Sequence, residues 1–364
     1  MREYIVRAAL PVDLSQLADK EIDIKGFRHY FPAYICQDEK WDIRFLTYYW
    51  LKITQFFIQS GIKLVLRPRQ GDVGSLSQSE VDEVYSQEAA TYDLKHHLTT
   101  HGMDTTWRRW VSWCATTLGG QVRPLKVLDL CTGTGLTPVE MAPLFAAWGI
   151  EAEIIGLDYN RGMLNQACKR KFDQAPVSLA FIRGDATRLN EDKLPREGAL
   201  SGFQPNTFDA ITQMFGIGGI SSPLAVFESV LSVLKPGGMY FLTDMHQPIR
   251  FQPGEWTFFL KWFRFPLFEA MTYNETTIPL ALSRLWAWRD PTLDFYLLPL
   301  VTSMENDNYW GYEVISREVE SQRWWLNLPV MPVARMVVKK VEISAEEAAK
   351  RGKILVFALS IAEA

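Results

Sequence analysis

The sequence predicts an α/β protein with a doubly wound, mostly parallel sheet of seven strands, covered by helices on both faces. Three observations carry that prediction. Short apolar runs of strand type alternate with amphipathic helical segments from residue 127 to residue 246, the pattern of βαβ units. The first of those runs ends in a glycine-rich turn that opens a helix. The composition, 48% hydrophobic and 22% charged over 364 residues, supports a folded chain with a sizeable core.

Residues 1–80 read as a helical N-terminal extension. Within it, Leu46, Tyr49, Trp50, Ile53 and Phe57 follow the i, i+3, i+4, i+7, i+11 rhythm of one helix face, which predicts a helix over 41–59. Pro68, Gly71 and Gly74, among serines and glutamines, mark a linker before helices around 81–92 and 104–118. The core, residues 81–246, then alternates. Strands are predicted at 127–130, 153–158, 180–183, 208–214 and 239–243. Helices are predicted at 138–148, 161–172 and 224–234, the last stopped by Lys235-Pro236-Gly237-Gly238.

Residues 247–312 break the alternation. Phe, Trp and Tyr make up 16 of those 66 residues, against 13% of the whole chain, and prolines recur through them. The segment reads as an insertion of short helices and loops. Its aromatics, Trp256, Phe258, Phe259, Trp262, Phe263 and Phe265 among them, suit a satellite core, a lid over a flat substrate, or a partner surface such as a homodimer interface. Residues 313–364 return to the core, with a helix at 316–326 and strands at 334–343 and 353–361. The short connector between those strands makes them an antiparallel pair.

A formal net charge of −4 and a pI near 5.8 argue against a nucleic-acid binder. The four cysteines, Cys36, Cys114, Cys131 and Cys168, are scattered without metal-ligand spacing, so no metal site is expected. No signal-peptide stretch and no run long enough for a transmembrane segment is found, so a cytoplasmic protein is expected; peripheral membrane contact remains open through the aromatic helix at 41–59.

The chemistry centres on Val127-Leu128-Asp129-Leu130-Cys131-Thr132-Gly133-Thr134-Gly135. Such a turn lets a ligand approach bare backbone amides. A dinucleotide site wants a third glycine where this chain has Pro138, and a pyrophosphate disfavours Asp129 at the strand end. A ligand with an ammonium group suits Asp129 better. Asp158 ends the next strand, where it can grip ribose hydroxyls or cap the helix beginning at Arg161. Asp185 follows the third strand and can accept an exocyclic amine, with Leu157 and Ala186 as apolar faces for a ring. Asn206-Thr207-Phe208-Asp209-Ala210-Ile211, then Gln213-Met214-Phe215-Gly216, and Leu234-Lys235-Pro236-Gly237-Gly238-Met239 complete the series.

In this order the five segments resemble the class I S-adenosylmethionine-dependent methyltransferases, whose fold is Rossmann-like. Ala90-Thr91-Tyr92-Asp93-Leu94, with Gly102 and Trp107-Arg108-Arg109, is similar to the ubiquinone and menaquinone biosynthesis C-methyltransferases, and the resemblance spans residues 84–246. It implies that Asp129 and the backbone of Cys131, Thr132, Gly133, Thr134 and Gly135 hold the methionine part of S-adenosyl-L-methionine. It implies that Asp158 bridges the ribose hydroxyls, that Tyr159 and Met163 lie beside the adenine, and that Asp185 and Ala186 face it. Gln213 and Met214 would line the pocket under the sulfonium, and Tyr92 would close over the cofactor. The stretch Lys95-His96-His97-Leu98-Thr99-Thr100-His101 is richer in histidine than in those enzymes.

Methyl transfer is a displacement that gains most from holding two reactants in line, and some acceptors also need a base. His96, His97, His101 and His246 are the candidates by type, with His246 just beyond the fifth strand at the carboxyl edge, and Asp244 ranks below them. The expected activity is methyl transfer to a small hydrophobic or aromatic metabolite, with the substrate chosen by residues 1–80 and 247–312. The alternatives are a protein of this fold that binds the cofactor without transferring methyl and, less favoured, a nicotinamide-dependent enzyme.

Overall fold

The computed structural model describes residues 77–99, 103–116, 118, 124–170, 175–190, 202–245, 297–324 and 328–362. The expected helix at 41–59, most of the aromatic insertion, His101 and His246 lie outside the described residues.

The described chain opens with three helices: α1 (Gln78–Glu88), α2 (Tyr92–Thr99) and α3 (Met103–Thr116). Ser77 starts α1 with a reciprocal capping box. Its Oγ accepts from Glu80 N at 3.3 Å, and Glu80 Oε2 accepts from Ser77 N at 2.9 Å. In α3, Trp107, Trp110, Val111 and Cys114 share one face and are buried. The alternating core follows: β1 (Leu125–Leu130), α4 (Leu136–Ala147), β2 (Ala152–Asp158), α5 (Arg161–Ala167), β3 (Val177–Arg183), β4 (Phe208–Met214), α6 (Pro223–Val233) and β5 (Leu234–Met245). The last group is β6 (Thr302–Glu305), β7 (Asn308–Trp324), β8 (Leu328–Ile343) and α7 (Ala345–Ala362).

The strands form one sheet in the order β3-β2-β1-β4-β5-β8-β7-β6. Pairings from β3 through β5 are parallel, and β5–β8, β8–β7 and β7–β6 are antiparallel. The α/β, mostly parallel architecture is therefore as expected, with eight strands among the described residues rather than the seven expected. Alternating side chains separate two cores. Val127, Ile154, Ala210 and Phe241 face α3 and α4, while Leu128, Leu130, Ile211 and Leu242 face α6. The reversal of strand order beside β1 puts the carboxyl ends of β1, β2 and β4 around one crevice, where ligands bind in open sheets of this kind.

Three expectations in the C-terminal part change. The helix expected at 316–326 is strand, because β7 runs through it against β8, with register shifts at Val314/Ser316 and Ser321/Arg323. Long-range pairing overrides the local preference of its Glu, Gln and Arg residues. The strand expected at 353–361 is helix. Ser344 Oγ accepts from Glu347 N at 3.1 Å, Glu346 and Glu347 occupy the first turn, and α7 propagates through the apolar run to Ala362. The antiparallel neighbours of β8 are instead β5 and β7. Finally, Thr302–Glu305 and the start of β7, read as insertion, belong to the sheet. Asn306 and Asp307, at φ 49° and 67°, make the two-residue turn between them.

Candidate functional site

The glycine-rich turn leaves β1 through backbone that few residues tolerate. Cys131 has φ 53°, Gly133 φ 58° and Gly135 φ 79°. At Gly135 a Cβ would lie 2.6 Å from Phe181 Cζ, so only glycine fits the close approach of β3 to the turn. Thr132 N donates to Leu157 O at 3.0 Å, and Gly135 N to Thr132 O at 2.9 Å, which ties the turn to β2. Phe215, just past β4, is a second non-glycine residue in the left-handed region, at φ 57°. Strained positions thus follow both β1 and β4, and both face the same cleft.

Asp158 stands at the tip of β2 in that cleft. Its Oδ2 accepts from Gly133 N at 2.7 Å and its Oδ1 from Asn160 N at 2.8 Å. Burial pushes its carboxyl from the ordinary 3.8 up to about 6, against the pull of those amides. The open question of helix capping resolves onto its neighbour. Asn160 Oδ1 accepts from Met163 N at 2.8 Å and caps α5, which leaves Asp158 to the cleft. Asp185 also lines the cleft, its Oδ1 accepting from Thr187 N at 2.9 Å and Thr187 Oγ1 at 2.7 Å.

Asp129 sits beneath the turn rather than on the cleft wall. It is 1% exposed, its Oδ1 accepts from Thr212 Oγ1 at 2.6 Å, and its buried Oδ2 has no hydrogen-bond partner. Burial raises its carboxyl from 3.8 to about 7, opposed by the Thr212 and Thr132 hydroxyls. An acceptor oxygen left unpartnered under a turn of bare amides fits a donor of ammonium type, because burial makes the unpaired state costly.

Of the sequence-predicted residues, Tyr92, Cys131, Gly133, Asp158, Tyr159, Met163, Asp185, Ala186 and Met214 come together along this one cleft. Thr132, Thr134 and Gly135 are buried within the turn behind it. Gln213 departs from expectation. It is fully buried, its Oε1 accepts from Tyr240 Oη, and its Nε2 lies 3.4 Å from Cys131 Sγ, so it supports Cys131 from below. Asp244 is also occupied: its Oδ2 accepts from Ile217 N at 2.8 Å. His97 lies on α2, but its side chain is outside the described residues.

One wall was not foreseen. Gln78, Val81, Asp82 and Tyr85 bring α1 to the cleft. Their i, i+3, i+4, i+7 spacing was the available signal, masked because two of the four are polar. At that wall Tyr85 meets Tyr92 edge-on at 6.0 Å, and an aromatic chain runs from Tyr92, stacked on His96 with centroids 5.4 Å apart, to Phe215, 5.1 Å from His96. Trp107 backs Phe215 at 5.2 Å. Burial also holds the Tyr92 hydroxyl well above its ordinary range, so it stays protonated. Among the described residues no cluster of metal-ligating side chains occurs, and no helix is long and apolar enough to cross a membrane.

The profile of the ubiE/COQ5 methyltransferase family matches residues 73–276, more than half of the chain. A demethylmenaquinone methyltransferase from Beutenbergia cavernae is 29% identical over 214 residues, which is 58% of this chain and 77% of the relative. A ubiquinone/menaquinone biosynthesis C-methyltransferase UbiE from Coxiella burnetii is 32% identical over 170 residues, 46% of this chain; the match spans 60% of that relative's length. Among solved structures, a phosphoethanolamine N-methyltransferase from Haemonchus contortus superposes with a TM-score of 0.44 at 14% identity, over 79% of this chain and 54% of that one. With the glycine turn, the acid at the tip of β2 and the profile match in agreement, the chain belongs to the ubiE/COQ5 methyltransferase family and is a class I S-adenosylmethionine-dependent methyltransferase.

Proposed function

We propose that the chain methylates a small hydrophobic, aromatic acceptor, and that the cleft at the carboxyl ends of β1, β2 and β4 is where it does so. The observation that carries this reading is the pairing of opposite chemistries in one cleft. Asp158 and Asp185 share the lining of the cleft with the rings of Tyr85, Tyr92 and Phe215. S-adenosyl-L-methionine supplies an electrophilic methyl group when bound. Asp158 accepts the ribose hydroxyls, Asp185 and Ala186 face the adenine with Tyr159 and Met163 beside it, and Asp129 offsets the ammonium charge. The turn from Cys131 to Gly135 presents its backbone to the methionine end, and Tyr92 and Met214 keep water from the reacting face.

The names of the relatives support a ring-carbon acceptor, since one names demethylmenaquinone and the other ubiquinone/menaquinone biosynthesis and C-methylation. Such an acceptor gives up a ring proton after the methyl group arrives, and His246, His101 and His97 are the bases we assign to that step. Transfer of labelled methyl from S-adenosylmethionine to extracted hydrophobic metabolites tests the proposal directly. Label in an aromatic ring product is the expected result. Label only in polar amines, or none with cofactor bound, overturns it.

A further inference from the structure

The wall formed by α1 and α2 combines ring contacts of Tyr85, Tyr92 and His96 with polar contacts that fasten it to the cleft. Val81 is the buried residue of α1, and on α2 Leu94 is 55% exposed. With Val81 as its buried residue, α1 leans on its polar contacts for attachment. Among the described residues, two polar fastenings join the wall to the turn and to α5. At α1, Asn160 Nδ2 lies 2.8 Å from Asp82 O, Asp82 Oδ1 and Ser86 Oγ. At α2, Asp93 accepts from Thr134 Oγ1 in the glycine turn and pairs with Arg170 Nη2, just past α5. Arg170 Nε also donates to Thr134 O at 2.5 Å. One carboxylate, one guanidinium and the hydroxyl and carbonyl of Thr134 therefore close a ring that joins three separate segments.

The ring has the chemistry of a latch. The guanidinium fork serves a carboxylate and a carbonyl at once, which a lysine ammonium on a flexible stem does poorly. The Asp93 side chain is 43% exposed and that of Arg170 25%, so water reaches the pair and it can open without disturbing the core. A half-exposed pair of this kind adds little to global stability. Its leverage is local, because Asp93 directly follows Tyr92, which faces the cleft.

We propose that Asp93, Thr134 and Arg170 form a latch that sets how long the cofactor and its demethylated product stay bound, making Asp93 and Arg170 positioning residues for the reaction. The proposal rests on the cleft being the cofactor site. Release of S-adenosylhomocysteine, followed by stopped-flow competition, tests it in the wild-type chain, Asp93→Asn, Arg170→Gln and the double variant. Each single change is expected to speed release on the order of tenfold, the double no more than the larger single. The acceptor KM and the melting temperature should barely move, and Arg170→Lys should recover only part of the wild-type residence time. Wild-type release in both single variants, or effects that multiply in the double, overturns the latch. Hydrogen exchange on the wild-type chain needs no variant: residues 78–99 should gain protection when S-adenosylhomocysteine binds, and unchanged exchange there also overturns it. A wild-type chain that binds no S-adenosylhomocysteine brings down the cofactor-site reading itself, and the latch with it.

Discussion

Asp129→Asn should make the protein more stable and a weaker binder of its cofactor, and the two effects should separate with pH. The Asp129 carboxyl is 1% exposed, and its value rises from 3.8 to about 7 on folding. The folded protein therefore keeps the Asp129 proton to about pH 7, while the unfolded chain releases it near 3.8. Stability from this group is greatest below the lower value, falls as pH rises between the two, and stays low above the higher one. At about 1.4 kcal/mol per pH unit, holding the carboxylate ionised at pH 8 costs the fold about 4 kcal/mol. Asparagine removes that cost. It also places an amide where Oδ2 has no partner, a penalty of about 1–3 kcal/mol. The net expectation is a gain of about 1–3 kcal/mol at pH 8 that shrinks as pH falls below 7, vanishes between about pH 4.5 and 6, and turns into a loss of about 1–3 kcal/mol near pH 4. Meanwhile S-adenosylhomocysteine should bind on the order of tenfold more weakly at pH 8, because the charge opposing its ammonium is gone. Thermal melts across that pH range, with calorimetry at its upper end, measure both. A stability difference that does not change with pH, or an unchanged affinity, refutes the reasoning.

Three further outcomes are expected. Asp158→Ala should weaken S-adenosylhomocysteine by about 1.5–3 kcal/mol in calorimetry, the cost of removing hydrogen bonds to a charged group; unchanged affinity would take Asp158 out of the site. Gly135→Ala should destabilise the fold by about 1–3 kcal/mol in urea titrations, since the new Cβ meets Phe181 at 2.6 Å and φ is 79°. Wild-type stability there would mean that the turn tolerates a side chain. His246→Ala should lower kcat on the order of 100-fold while sparing S-adenosylhomocysteine affinity, and an unchanged kcat removes it as the base.

The parallel half of the sheet was legible because its information is local. Each strand from β1 to β5 is a short apolar run with a helix or turn signal beside it, and Phe208–Met214 agrees at both ends. Asp158 and Asp185 were readable for the same reason: an acid directly after a parallel strand lands at the carboxyl edge whatever the rest of the chain does. The sequence by itself thus determined the fold class, the crevice and the acids that stand in it. Tertiary structure decided what depends on partners distant in sequence. β7 is a strand because β8 offers it a full ladder, although its residues suit a helix. The run at 353–361 is helix because the helix beginning at Ala345 propagates through it. Gln213 faces Tyr240 and Cys131 rather than the cleft, a matter of which side of β4 the register turns inward. The α1 wall and the ring of Asp93, Thr134 and Arg170 join residues up to 78 positions apart, from Asp82 to Asn160. No periodicity records such a contact, because it is made only when separate segments meet in space.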